Sequence, residues 1–197
     1  MKLKKIIKII FVSLLIIFLT FIAARIFMSS DRSVLDDIYP TEKAKNAYAS
    51  LGEAAFSTCK LPRDMSEDGY FTAYAPSYSK GENEFQITVR YNEGLYTKYL
   101  VGSAPDDYYY ELRDADGNTV SRANIVCEKE RYFYHHYRLS FEDVTIPSET
   151  ELYLFLCCDS SSYPAKHTAG ILVAHPSIEY KDITLSRAEK ESLALND

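Results

Sequence analysis

The sequence predicts an all-β fold with minor α content, an antiparallel β-sandwich preceded by one transmembrane helix and one amphipathic helix. Three observations carry that reading. Residues 6–28 form a nearly unbroken apolar run, and from residue 69 onward apolar and polar side chains alternate with period two. The aromatic residues are Tyr (17) and Phe (10) with no Trp, a composition suited to half-buried strand positions.

Only Lys8 and Arg25 interrupt the run 6–28. At about 1.5 Å per residue a helix of that length spans roughly 35 Å, enough for a bilayer core of about 30 Å. Both charges lie near the ends, where long side chains reach the headgroups. Lys2, Lys4, Lys5 and Lys8 crowd the N-terminal flank, whereas Arg25 and Arg32 on the other flank are offset by Asp31, Asp36 and Asp37. The positive-inside rule therefore puts the N-terminus in the cytoplasm and the rest of the chain in an extracytoplasmic compartment. The competing reading is a secretory signal cut after Ile22-Ala23-Ala24, which would release a secreted protein. The run exceeds a usual signal core and continues through Arg25-Ile26-Phe27-Met28, which favours an uncleaved anchor.

Five of the 22 basic side chains precede residue 30 and all 28 acidic ones follow it, so the outer part has a net charge of −11 against −6 for the whole chain. Such a surface repels phosphate backbones, which disfavours nucleic acid as a partner. By these criteria the chain divides into a cytoplasmic tail (1–5), a signal-anchor helix (6–28), a stalk with an amphipathic helix (29–62), a β-sandwich (63–185) and a short C-terminal helix with a tail (186–197). About 165 residues outside the membrane make one ordinary domain.

Within the stalk, Thr41 offers an N-cap, and Ala44, Ala47, Tyr48, Leu51, Ala54 and Ala55 recur at helical spacing to about Ser57. The strand signal is clearest at 84–91, where Phe85, Ile87, Val89 and Tyr91 alternate with Glu84, Gln86, Thr88 and Arg90, as in a strand with one wet face. Further strands are expected at 70–75, 95–101, 108–113, 119–127, 132–141, 151–158 and 169–175. Residues 152–158 are apolar on both faces, as in a covered central strand. Ser186-Arg187-Ala188-Glu189 has the spacing of a capping box that opens a last helix. Strand number and alternation resemble the immunoglobulin-like architecture, although the Cys, Trp, Cys fingerprint of true immunoglobulin domains is missing.

Four cysteines, Cys59, Cys127, Cys157 and Cys158, lie outside the anchor, where an oxidising compartment favours disulfides. Cys157 and Cys158 are neighbours on a strand and point to opposite faces, so the expected pattern joins Cys127 to one of them and Cys59 to the other. A thiol nucleophile would need a base, and His167 and His175 are the nearest in sequence. The Thr-Leu-x-Thr-Cys pattern of sortase-type transpeptidases does not occur here. His135 and His136 are adjacent on a strand and face apart, and no zinc spacing is present, so no metal or other cofactor is expected. The stretch 114–118 resembles half of a calcium loop but lacks the later ligands, and a hairpin turn accounts for it.

Tyr109, Tyr132 and Tyr134 alternate with residues assigned inward and are the candidate binding side chains. The expected function is a membrane-anchored extracytoplasmic binding or assembly module, held in the lipid bilayer through residues 6–28 and recognising a surface protein or glycan. Two alternatives are a glycan-recognition domain that uses exposed Tyr and an extracytoplasmic enzyme with a Cys/His site. The orientation is directly testable: a reporter fused to the C-terminus should be active only outside the cytoplasm, and cytoplasmic activity would overturn it.

Overall fold

The computed structural model describes residues 2–28, 38–67, 69, 71–92, 108–131, 134–145, 151–158 and 170–194. The chain separates into two compact units, Met1–Ser33 and Val34–Asp197. The first is the helix α1 (Lys2–Met28). Its segment Lys4–Ala24 has a mean hydropathy of 2.9 and none of it is buried, so it is long and apolar enough to cross a membrane.

The second unit is mostly β. Its strands are β1 (Phe56–Thr58), β2 (Phe71–Ser79), β3 (Glu84–Asn92), β4 (Tyr108–Asp114), β5 (Thr119–Arg122), β6 (Asn124–Arg131), β7 (Tyr134–Phe141), β8 (Leu152–Cys158), β9 (Ile171–Ala174) and β10 (Lys181–Asp182). They form two antiparallel sheets, one of six strands in the order β10-β1-β2-β3-β7-β6 and one of four in the order β5-β4-β8-β9. Phe85, Ile87, Val89, Leu139 and Phe141 from the larger sheet share one core with Leu112, Leu152, Leu154, Leu156 and Ile171 from the smaller. Phe71 meets Tyr110 edge to face across it, with ring centroids 6.0 Å apart.

Among the described residues this unit has two α-helices, α2 (Glu42–Leu51) and α3 (Arg187–Ala194), and α2 runs on into one 3-10 turn at Gly52–Ala55. Both start as their sequences require. Thr41 Oγ1 accepts the Ala44 amide at 3.1 Å. Ser186 Oγ accepts the Glu189 amide at 3.3 Å while the Glu189 carboxylate accepts the Ser186 amide at 2.7 Å, which completes the capping box. The periodicity to Ser57 overstates α2, because Gly52 ends it at φ 62 and Phe56 begins β1 with its ring fully buried. Ala44, Ala47, Phe56, Ile183, Leu185 and Leu193 make a second apolar cluster.

Two other expectations need correction. The strand expected at 119–127 is really two, for the chain leaves the four-stranded sheet at Arg122 and enters the six-stranded one at Asn124. At the crossing, the Ala123 amide donates to the Tyr110 carbonyl at 2.9 Å. The hairpin between β4 and β5 is as expected, with Gly117 at φ 84 and the Gly117 amide bonded to the Asp114 carbonyl at 3.0 Å. The strand expected at 95–101 lies outside the described residues.

The second correction concerns the wet face of 84–91. Glu84, Gln86 and Thr88 are each 1 % exposed, and Ser77, Arg138 and Ser140 beside them are buried too. The segment 38–41 is bonded to this face: Gln86 donates to the Tyr39 carbonyl at 3.0 Å and accepts the Tyr39 amide at 2.9 Å. Thr41 donates to Glu84 at 2.8 Å. Arg138 donates to the Ala75 carbonyl at 2.9 Å, Thr88 at 3.0 Å, Ser77 at 2.8 Å and Gln86 at 3.3 Å. Alternation alone cannot tell a polar face that meets water from one that meets a second polar layer. Arg138→Met keeps the aliphatic bulk and strips the network of its donor. Chemical denaturation should report a loss of about 2–4 kcal/mol, and an unchanged midpoint would show that the network adds nothing.

Candidate functional site

A cleft of about 410 Å³ opens where the β6–β7 edge of the six-stranded sheet meets the start of α3. Cross-strand pairing builds its floor. Cys127 stands opposite Arg138, and Lys129 opposite His136. Tyr39 and Pro40 form one wall, Ser186 and Glu189 the other. The ladder shifts register between Ile125 and Cys127. Without that bulge, Ile125 and Cys127 would share a face; with it, Cys127 turns to the face of Arg138 and enters the cleft.

The polar groups of the cleft are set apart by their bonding. His136 is 3 % exposed and Arg138 6 %, and Arg138 is engaged in the layer beneath. Lys129 is exposed and forms no ion pair among the described residues. Glu189 is turned back into the cap of its own helix. Arg138 and Lys129 therefore give the floor two cations within a unit whose formal charge is strongly negative.

The candidate Tyr residues do not gather on one strand or one sheet. Tyr109 is half-buried on β4 of the smaller sheet, with the Arg122 guanidinium 3.7 Å from its ring centroid. Tyr134 begins β7 of the larger sheet, where its backbone pairs with Asn92 and Arg131. Tyr132 lies outside the described residues.

Cys59, Cys127 and Cys157 are free thiols, so the expected bonds among them are absent. The sheets give the reason. Cys127 lies with Arg138 on the outer face of the six-stranded sheet, whereas Cys157 lies on the outer face of the four-stranded one, opposite Tyr109. The common core, about 10 Å thick, stands between them. Cys157 is 1 % exposed and packs against an ion pair, accepting from Arg113 at 3.6 Å, while Arg113 holds Glu111 at 2.7 Å. Burial, the largest single influence, opposes the charge of Arg113, but the Glu111 bond and the Coulomb pull of Cys157, Glu111 and Tyr109 together raise the guanidinium above its ordinary value. Burial likewise pushes the Cys59 thiol up, only partly countered by a hydrogen bond with Tyr180. His167, one of the expected bases, and the side chain of Cys158 lie outside the described residues.

Periodicity gave no sign of the cleft, because its residues come from three distant stretches, 38–40, 127–138 and 186–192. The capping box was the one local signal that located a wall. No protein family, curated protein or solved structure matches the chain.

Thiol reactivity follows from this placement. Native alkylation read by mass spectrometry should modify Cys127 readily, Cys59 slowly and Cys157 only after denaturation. Recovery of Cys127 or Cys157 in a disulfide from native protein would overturn the assignment of free thiols.

Proposed function

We infer that the chain is a membrane-tethered, extracytoplasmic binding module whose recognition site is the cationic cleft, and that its ligand carries carboxylate groups. The observation that carries this reading is Lys129, an ammonium without an ion-pair partner among the described residues, at the rim of a cleft floored by His136 and Arg138. In an acidic unit such a spot attracts short anionic ligands locally while the surrounding charge turns long polyanions such as nucleic acids away. The volume is within the range of small-ligand sites. Support for the tether is the apolar helix α1 with its lysine-rich start. In this reading the two sheets are an immunoglobulin-like sandwich that serves as the rigid mount, and the shared core supports it.

A Cys/His enzyme is a second reading, favoured by one observation: Cys127 and His136 line the same cleft. As diagonal neighbours across the β6–β7 ladder they stand roughly 7 Å apart, close enough for a small substrate to bridge. The glycan reading survives in changed form, with the cleft and its cations in place of exposed Tyr.

Calorimetric titration of the full-length protein in detergent, with a uronic-acid oligosaccharide in one arm and an acidic peptide in another, tests the main reading. Saturable binding is expected in one arm, weakened about tenfold by Lys129→Glu and by rising salt. Binding in neither arm, or binding that Lys129→Glu leaves untouched, would refute it. Cys127→Ser should leave it intact.

A further inference from the structure

Away from the cleft, the ends of β8 and β9 bring together a serine, a histidine and a carboxylate. Leu152 pairs with Ala174, so Glu151 and His175 face each other one step beyond the ladder. His175 Nε2 lies 3.1 Å from Glu151 Oε1, and His175 Nδ1 lies 2.6 Å from Ser177 Oγ. The β9 bulge makes this meeting possible. The register shifts between Leu152 and Tyr153, whose partners are Ala174 and Leu172, so Val173 is the extra residue. Val173 and Ala174 are both buried, and the shift swings His175 onto the outer face that carries Glu151 and Tyr153.

The hydrogen bonds fix the direction of the relay. The Ser177 amide donates to Nδ1 at 3.0 Å, so Nδ1 carries the lone pair and the ring proton sits on Nε2, facing the carboxylate. Ser177 Oγ–H points at the same lone pair. Tyr153 O–H holds the other oxygen of Glu151 at 3.0 Å, which steadies the carboxylate. Tyr180 O–H bonds the Val173 carbonyl at 2.8 Å and ties the loop back to β9. Nucleophile, base and orienting acid thus stand in the order that acyl-transfer chemistry uses, with the two ring nitrogens exchanged.

Ser177 also opens onto a place where a substrate could sit. A groove of about 500 Å³ runs between the segments 58–62 and 177–181, lined by Ser177, Lys60, Pro62 and Ile178. Lys60 is exposed and forms no ion pair among the described residues, so its ammonium is available to a negative charge developing in that groove.

We propose that Ser177 is a catalytic nucleophile, with His175 as its base and Glu151 as a positioning residue, in an esterase site that cleaves small acyl esters in this groove. Ser177 Oγ attacks the ester carbonyl carbon while its proton passes to His175 Nδ1, and the carbonyl electron pair moves to oxygen beside Lys60. Collapse breaks the bond to the alcohol oxygen, which takes the proton from His175 and leaves. Water then attacks the acyl-serine by the same route. The products are one acid and one alcohol, and Ser177 is restored.

The test uses full-length protein in detergent micelles, a fluorophosphonate probe and p-nitrophenyl acetate. The probe should attach to the peptide containing Ser177, and Ser177→Ala should abolish both labelling and hydrolysis. His175→Ala should slow labelling at least a hundredfold, the scale of a lost general base, and added imidazole should restore part of the rate. Glu151→Gln keeps a hydrogen-bond acceptor and should slow it less. A wild-type protein with a normal melting transition that leaves Ser177 unmodified would overturn the proposal. So would labelling that His175→Ala does not change, or a His175→Ala rate that imidazole fails to raise, since a turn merely stapled by Ser177 and His175 predicts those results.

Discussion

Arg138 sits charged and buried on the outer face of the six-stranded sheet, and much of the second unit is arranged around it. An isolated guanidinium out of water costs several kcal/mol, which must be offset by fully formed hydrogen bonds. Here the acceptors are Ala75, Ser77, Thr88 and Gln86, drawn from two other strands. Gln86 spends its remaining capacity on the backbone of Tyr39, so the satisfaction of one charge in the sheet also fixes the entry of the chain into the unit. Thr41 then caps α2 while donating to Glu84, and α2 joins the apolar cluster with α3. A polar layer is more demanding than an apolar one, since a shift of about an ångström leaves groups unpaired. That demand defines where the segment 38–41 lies, and with it one wall of the cleft.

What the sequence made legible was local. The alternation at 84–91, the Thr41 cap, the Ser186 capping box and the 114–118 hairpin each depend on residues within a few positions of one another, and each is found in the structure. The apolar run of α1 was equally plain. What failed was parity and partnership. Alternation gives two faces but not their coverings, so Glu84, Gln86 and Thr88 read as solvated when they are among the most buried polar groups. The change of sheet at Ala123 also left no mark, because Asn124 to Cys127 continues the strand composition of Thr119 to Arg122. Alternation also gave no sign that Tyr109 and Tyr134 stand on strands of different sheets.

The cysteines show the same limit from the side of chemistry. Compartment and count argue for disulfides, and both arguments ignore where the side chains point. Opposite outer faces of a two-sheet stack are separated by the core itself, and no loop adjustment brings Cys127 to Cys157 within the Cα separation of about 4.4–6.8 Å that a disulfide needs. The unit instead draws stability from a core to which both sheets contribute large side chains, such as Phe85, Phe141, Leu112 and Leu154. The outer face of the smaller sheet is tightly packed as well, since a Cβ at Gly170 would lie 2.8 Å from two carbons of the Phe155 ring.

Each of the surface features described above lies beside an irregularity in a ladder. The bulge after Ile125 turns Cys127 into the cleft, and the extra residue Val173 turns His175 toward Glu151. A third shift, between Tyr74 and Ser77, reverses the parity of β2, so that Phe71 and Ala73 face the core before it and Tyr78 after it. The same shift frees the Ala75 carbonyl from the ladder to accept Arg138. A regular strand fixes every second side chain on the same face, so one extra residue is the cheapest way to bring a chosen side chain to the opposite one. Since the strands that carry these bulges are otherwise held by continuous pairing, the re-aimed residues stand on rigid supports, which is the condition that a preorganised site requires.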